Sequence, residues 1–116
     1  MPKTNPNLGK IHSGKLDPSM TFNEKVYAVC SRIPRGKVAT YGDIARALKT
    51  QAYRAVGNAL NKNPYAPRVP CHRVVGSDGS LTGFAGGLEK KRAMLRGEGV
   101  HVTDEKIDLT KCRAKL

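Results

Sequence analysis

The stretch Thr40-Tyr41-Gly42-Asp43-Ile44-Ala45-Arg46-Ala47-Leu48-Lys49-Thr50-Gln51-Ala52-Tyr53-Arg54-Ala55-Val56-Gly57-Asn58-Ala59-Leu60-Asn61 decides the fold. Thr40 can cap a short helix whose Ile44, Ala45 and Leu48 face the core. A turn near Lys49-Thr50 follows, and then a helix from about Ala52 to Asn61. Tyr53, Val56, Gly57 and Leu60 line one face of that helix, while Arg54, Asn58 and Asn61 fall elsewhere. Short helix, tight turn and polar-faced helix make a helix-turn-helix. Any pair of adjacent amphipathic helices imitates this pattern, so the rest of the chain must support it.

Charge supports it. Lys and Arg number 21 against 9 Asp and Glu among 116 residues, a formal net charge of +12. A single small domain cannot bury such an imbalance, so its surface is electropositive and suits nucleic acid, where neutralised phosphates release counterions. A solubility charge or an anionic membrane surface are the blander readings. Ala55, Gly57 and Ala59 let the backbone of the second helix come close to whatever it faces. That is a neighbouring helix for Gly57, and equally DNA for Ala55 and Ala59. The composition, 39% hydrophobic and 26% charged, fits a folded soluble protein. No apolar run suits a membrane span or a signal peptide, so no membrane partner and an intracellular location are expected.

Outward from the helix pair, residues 1–20 show no helical or strand period and read as a flexible basic arm. Thr21 and Glu24 have capping-box spacing, and Phe22, Val26, Val29 and Ile33 then recur on one helical face until Pro34 and the turn at Arg35-Gly36. Asn63 to Pro70 is punctuated by prolines, Val69 to Val75 reads as extended, and Ser77-Asp78-Gly79-Ser80 as a turn. Thr82 to Gly87 is a glycine-bearing loop without nucleotide-binding spacing. Leu88 to Arg96 is a last helix, with Leu88 and Leu95 inward, stopped by Gly97 and Gly99. Residues 21–110 form the domain and 111–116 a basic tail.

Three cysteines, Cys30, Cys71 and Cys112, are widely spaced with no CxxC pair, which argues against a zinc site; no metal is expected. At least one thiol is unpaired within the monomer, the expected state of the chain. Cys30 reads as core and Cys112 as exposed, with a bridge between them left open. Cys71 lies in Pro70-Cys71-His72-Arg73-Val74, where His72 and Arg73 are candidates to raise the thiolate fraction. Strand neighbours point to opposite faces, so a water or a backbone bend must join His72 to Cys71. A buried structural cysteine is the alternative.

Val69-Pro70-Cys71-His72-Arg73-Val74-Val75 closely resembles the active-site signature of the O6-alkylguanine-DNA alkyltransferases. Gly36 to Ala45 resembles that family's approach to its helix-turn-helix, Arg54 to Leu60 its recognition helix, and Asn63-Pro64 the turn after it. Gly83-Phe84-Ala85-Gly86-Gly87-Leu88 and Leu95 to Gly99 resemble its closing loop and last helix. The likeness runs from about residue 21 to 100, in the family's order and spacing.

The resemblance implies repair of O6-alkylguanine in double-stranded DNA. Cys71 would be nucleophile and alkyl acceptor, with His72 as base through a bridging water and Glu98 orienting it. Tyr41 would protonate the departing guanine, and Asn63 would buttress the cysteine loop. Arg54 would enter the base stack after the target nucleotide flips out, from a helix-turn-helix lying in the minor groove. Ala55, Gly57, Tyr41 and Arg73 complete the implied DNA-binding set, and Val74, Phe84 and Ala85 the substrate pocket. No cofactor is implied, because the alkylated base brings its own electrophilic carbon, and the thioether product makes the protein single-use.

Two departures accompany the likeness. Only the arm before Thr21 stands where many relatives carry a larger N-terminal domain, and Phe84 replaces the more usual loop tyrosine. Alkyltransferase-like proteins, which bind and flag lesions without transfer, usually have tryptophan at the cysteine position; Cys71 argues against that alternative. The expected fold is mainly α, a winged-helix-like helix-turn-helix domain with a small β-hairpin wing between its third and last helices. Cys71 is expected half-buried beneath the loop around Phe84.

Overall fold

The predicted capping box at Thr21 forms, and the predicted cap at Thr40 proves to be a second one with Asp43; together they fix where two helices begin. A computed structural model of the protein describes residues 5–82 and 87–116. Its helices are α1 (Leu8–Ser13), α2 (Phe22–Cys30), α3 (Tyr41–Ala47), α4 (Tyr53–Asn61), α5 (Leu88–Gly97) and α6 (Leu109–Cys112). Its two strands are β1 (Ala39–Thr40) and β2 (Val74–Val75). Thr21 Oγ1 accepts the Glu24 N–H at the start of α2, and Thr40 Oγ1 accepts the Asp43 N–H at the start of α3. The Glu24 and Asp43 carboxylates accept the N–H groups of Thr21 and Thr40 in return. Each cap satisfies donors that a helix start leaves open. The fold is mostly helical, as expected.

The main core joins α2, α3 and α4 through Val26, Val29, Ile33, Ile44, Ala45, Val56 and Leu60. Tyr27 reaches across it, its hydroxyl donating to the Ala59 carbonyl at 2.8 Å. A smaller cluster gathers Val38, Val75, Leu81, Leu95, Val100, Val102 and Ile107. The strands stand between the two. Ala39 and Val74 belong to the first cluster, Val38 and Val75 to the second, as the two-residue period of extended chain requires.

The strand pairing differs from the expected hairpin. β2 runs parallel to β1, with Ala39 opposite Val74 and Thr40 opposite Val75. The chain does reverse at the predicted turn, where the Gly76 N–H donates to the Ser80 carbonyl. Residues beyond the turn then pair with a later segment: Leu81 N–H donates to Glu105 O and Ile107 N–H to Gly79 O. A β-carbon on Gly79, at φ +85°, would lie 2.1 Å from the Ile107 carbonyl oxygen, so glycine is required there.

Residues 5–20 are not a flexible arm. They contain α1, closed by Gly14 at φ 76°, and Ile11 and Met20 are buried in the main core. Asn5 Nδ2 donates to Glu24 Oε2 at 2.7 Å, and Arg32 Nε to Gly14 O at 2.8 Å. A helix this short, anchored by one buried isoleucine, leaves no period to read. The tail is anchored too. Val38 donates to Cys112 O and accepts from the Ala114 N–H, while Arg113 makes a two-pronged pair with Asp43, at 3.0 and 2.7 Å. Burial alone would raise the Asp43 pKa, but Arg113, the Thr40 N–H and Arg46 hold it at about 2.

Several inward assignments also change. Phe22, Tyr53 and Leu88, at the first turns of their helices, are 36, 53 and 40% exposed. Ala59, open to either side in sequence, is buried in the core. Cys30 is buried as expected, but Cys112 is half-buried rather than exposed, and all three cysteines are free. No described helix is long and apolar enough to cross a membrane.

If α1 is part of the fold, Ile11→Ala should destabilise the protein by about 2–5 kcal/mol, the usual cost of such a core truncation. Chemical denaturation measures this, and an unchanged midpoint would return residues 5–20 to the status of an arm.

Candidate active site

Cys71 is presented by backbone geometry that the extended reading missed. Cys71–Arg73 forms a single 3₁₀ turn between Pro70 and β2. Pro70 supplies no N–H, and its carbonyl accepts the Arg73 N–H at 2.9 Å while the Cys71 N–H donates to Val69 O at 2.8 Å. The turn is the backbone bend that an alternating strand could not provide. Asn63 ties the approach to it: its Nδ2 donates to Val69 O at 2.8 Å, and its Oδ1 accepts the Tyr65 N–H at 2.9 Å. Cys71 is half-buried.

His72 is buried, and its Nε2 lies 3.1 Å from Glu98 Oε1. Glu98 follows the last turn of α5 and receives two further bonds from Arg73, Nε to Oε1 at 2.9 Å and Nη2 to Oε2 at 2.6 Å. Arg73, with His72 also contributing, holds the Glu98 carboxyl below its ordinary pKa, so it is an ionised acceptor. An ionised acceptor makes Nε2 the protonated nitrogen of a neutral imidazole and leaves Nδ1 as its lone-pair base. Nδ1 is buried without a hydrogen-bond partner among the described residues. Burial lowers the His72 pKa, and the opposing pull of Glu98 does not overcome it.

Arg73 was expected to face DNA, but its guanidinium is committed inward, to Glu98 and, through Nη1, to the Ile33 carbonyl at 2.8 Å. Val74, expected in the substrate pocket, is fully buried in the main core because β2 pairs with β1. Phe84 and Ala85, the other expected pocket residues, lie outside the described residues, as does the loop expected to cover Cys71.

Tyr41 opens α3, and its hydroxyl accepts a 3.0 Å hydrogen bond from Thr82 Oγ1. Burial raises its pKa, and the Thr82 bond opposes the rise. Tyr41, Thr82, Gly57, Arg54 and Asn58 line one open depression along α4. Arg54 and Ala55 are exposed on that helix, while Gly57 is half-buried, a β-carbon there lying 4.0 Å from the Tyr41 ring. The structure thus joins His72, Arg73 and Glu98 by hydrogen bonds at the turn that carries Cys71, and sets Tyr41 with Arg54 and Gly57 along one depression of the helix-turn-helix.

Sequence reasoning missed Lys91. Its side chain is 0% exposed, and its ammonium donates to Val74 O at 2.6 Å and Thr82 O at 2.9 Å. Burial lowers its pKa to about 8. The signal was spacing: Lys91 stands four residues before Leu95, on the buried face of α5.

Known proteins resemble this chain in sequence and in fold. Residues 21–100 match the family model for the DNA-binding domain of 6-O-methylguanine DNA methyltransferase. The methylated-DNA–protein-cysteine methyltransferase of Methanosarcina barkeri is 49% identical over 94 residues, covering 78% of this chain and 60% of its own. That of Haemophilus influenzae is 41% identical over 100 residues, covering 84% and 56%. This chain therefore spans somewhat more than half the length of these curated relatives. Among solved structures, S. pombe Atl1 in complex with damaged DNA containing O6-carboxymethylguanine superimposes with a TM-score of 0.73 at 34% identity, covering 82% of this chain and 95% of that one. Mycobacterium tuberculosis OGT in complex with DNA gives 0.66 at 40% identity, covering 79% and 63%. With its match running from the α2 cap through Glu98 and the Cys71 turn inside it, the chain belongs to the 6-O-methylguanine DNA methyltransferase family, as a member of its DNA-binding domain.

Proposed function

We propose that the protein repairs O6-alkylguanine in double-stranded DNA by taking the alkyl group irreversibly onto Cys71. The observation that carries this is the Glu98–His72 hydrogen bond, which leaves a buried Nδ1, without a partner among the described residues, as the base next in sequence to the thiol. The names of the relatives and the DNA in two solved neighbours support the substrate class.

On this reading α4 lies against DNA, with Arg54 filling the stack that a flipped guanine leaves and Ala55 and Gly57 permitting close approach. His72 Nδ1 draws the Cys71 proton through a bridging water, and the thiolate attacks the carbon bonded to guanine O6. An S–C bond forms as the C–O bond breaks, and the electron pair leaves on guanine. Tyr41 gives its proton to that leaving group, which spares the formation of a free guanine anion. Asn63 holds the Cys71 turn in place, and Arg73 acts through Glu98 rather than on DNA. The residues need no cofactor for this chemistry, since the lesion is itself the alkyl donor. The thioether has no route back to thiol here, so each molecule acts once.

A second reading, a lesion-binding protein without transfer, is favoured by one observation: S. pombe Atl1, a structure in complex with damaged DNA, superimposes with a TM-score of 0.73, above the 0.66 of Mycobacterium tuberculosis OGT. Intact-protein mass spectrometry separates the two. Mixed with a duplex carrying O6-methylguanine, the protein should gain one methyl group, mapped to Cys71 and lost in Cys71→Ala. Tight, lesion-preferring binding with no mass gain would establish the second reading.

The depressed His72 pKa gives a pH signature. The neutral, competent imidazole persists as pH falls past the ordinary histidine value of about 6.5. The rate of methyl transfer in rapid-quench experiments should therefore lose its histidine-dependent part only below that value. An acid limb centred above it would exclude buried His72 as the base.

A further inference from the structure

We propose that Thr82 is a positioning residue for Tyr41: its hydroxyl donates to the oxygen on which negative charge develops as the phenol gives up its proton. The inference rests on the alkyl-transfer reading above and deepens it. Tyr41 has one proton to give, and a second hydroxyl 3.0 Å away decides where that proton points. With a guanine acceptor in the depression, the two hydroxyls relay in one direction, Thr82 to Tyr41 to guanine, and each bond polarises the next. If the phenol instead donated to Thr82, its proton would be turned away from the substrate.

Thr82 is held for this task. Lys91 Nζ donates to its carbonyl at 2.9 Å and to Val74 O at 2.6 Å, so a buried ammonium pins its backbone to β2. On the other side its methyl group packs near Gly76, where a β-carbon would lie 3.4 Å from Cγ2. The bond from Lys91 takes the carbonyl and leaves the hydroxyl for Tyr41. Both hydroxyl-bearing residues line the depression beside Arg54, Gly57 and Asn58, on the face proposed to meet DNA. A donor already aimed at a developing anion needs no reorganisation when the proton moves. The bond also counters the rise that burial imposes on the Tyr41 pKa.

The test is a double-mutant cycle on single-turnover methyl transfer at saturating DNA. Thr82→Val keeps the shape and removes the hydroxyl; it should slow transfer about 10-fold or more, the range for losing one hydrogen bond to a charged group. Thr82→Ser, which restores the hydroxyl, should recover most of the rate. In a Tyr41→Phe background, Thr82→Val should add little further loss, because the partner is already gone. Affinity for the lesion duplex, measured separately by anisotropy, should be unchanged. Wild-type transfer with an unimpaired Thr82→Val, a Thr82→Ser as slow as Thr82→Val, or fully additive losses would overturn this inference alone. A wild-type protein that gains no methyl group would overturn the transfer reading and this inference together.

Discussion

The candidate site depends on one carboxylate. Glu98 stands at the C-terminal end of α5, where the helix dipole disfavours negative charge. It is stabilised there because Arg73 delivers two parallel N–H donors to it and His72 delivers a third. Arg73 is anchored in turn by the Ile33 carbonyl just beyond α2. One ion pair therefore fastens the turn bearing Cys71 to two helices and fixes the tautomer of His72. A lysine in place of Arg73 would carry the charge but could not reproduce the planar fork with a third bond to Ile33.

A similar arrangement supports the other half of the molecule. Asp43 caps α3, and Arg113 and Arg46 converge on the same carboxylate, so the C-terminal segment is tied to the helix that begins with Tyr41. Val38 bonds to the backbone of that segment on one side, while the next two residues pair with β2 on the other. Tyr41 and Cys71 come from segments thirty residues apart in sequence, and the short parallel pair β1–β2 joins those segments directly. A fold with so little sheet uses it where the two halves of the candidate chemistry meet.

The parts legible in the sequence were those governed by local rules. The capping box at Thr21, the cap at Thr40, the α3–α4 pair and the end of α5 follow from spacing and side-chain chemistry, and all appear near the expected positions. What escaped was set by tertiary partners. A six-residue helix held by Ile11 has no period of its own. The parallel strand pair depends on residues 35 positions apart, Ala39 and Val74, which no local pattern could match. Arg73 read as a DNA-binding residue until Glu98 and Ile33 claimed its donors, and Lys91 was concealed in a run of cations. The candidate site was legible as a set of residues through the motif around Cys71; their division into reactive and supporting groups required the hydrogen bonds.

That division has a physical logic. Asn63, Arg73, Lys91 and Thr82 spend donors on fixed acceptors, and Glu98 spends its oxygens on His72 and Arg73. Among the described residues of the site, this leaves free the lone pair of His72 Nδ1 and, when Thr82 donates, the proton of Tyr41. On the proposed reading these are a base for the thiol and an acid for the leaving guanine. Fixing every supporting bond before substrate arrives lowers the reorganisation needed during reaction. A catalyst that must release product and reset pays for such rigidity in turnover, whereas a protein that reacts once has no reset step to protect. On that reading single use and a rigid hydrogen-bond network are compatible demands, and the burial that lowers the His72 pKa keeps its imidazole neutral where an exposed one would begin to protonate.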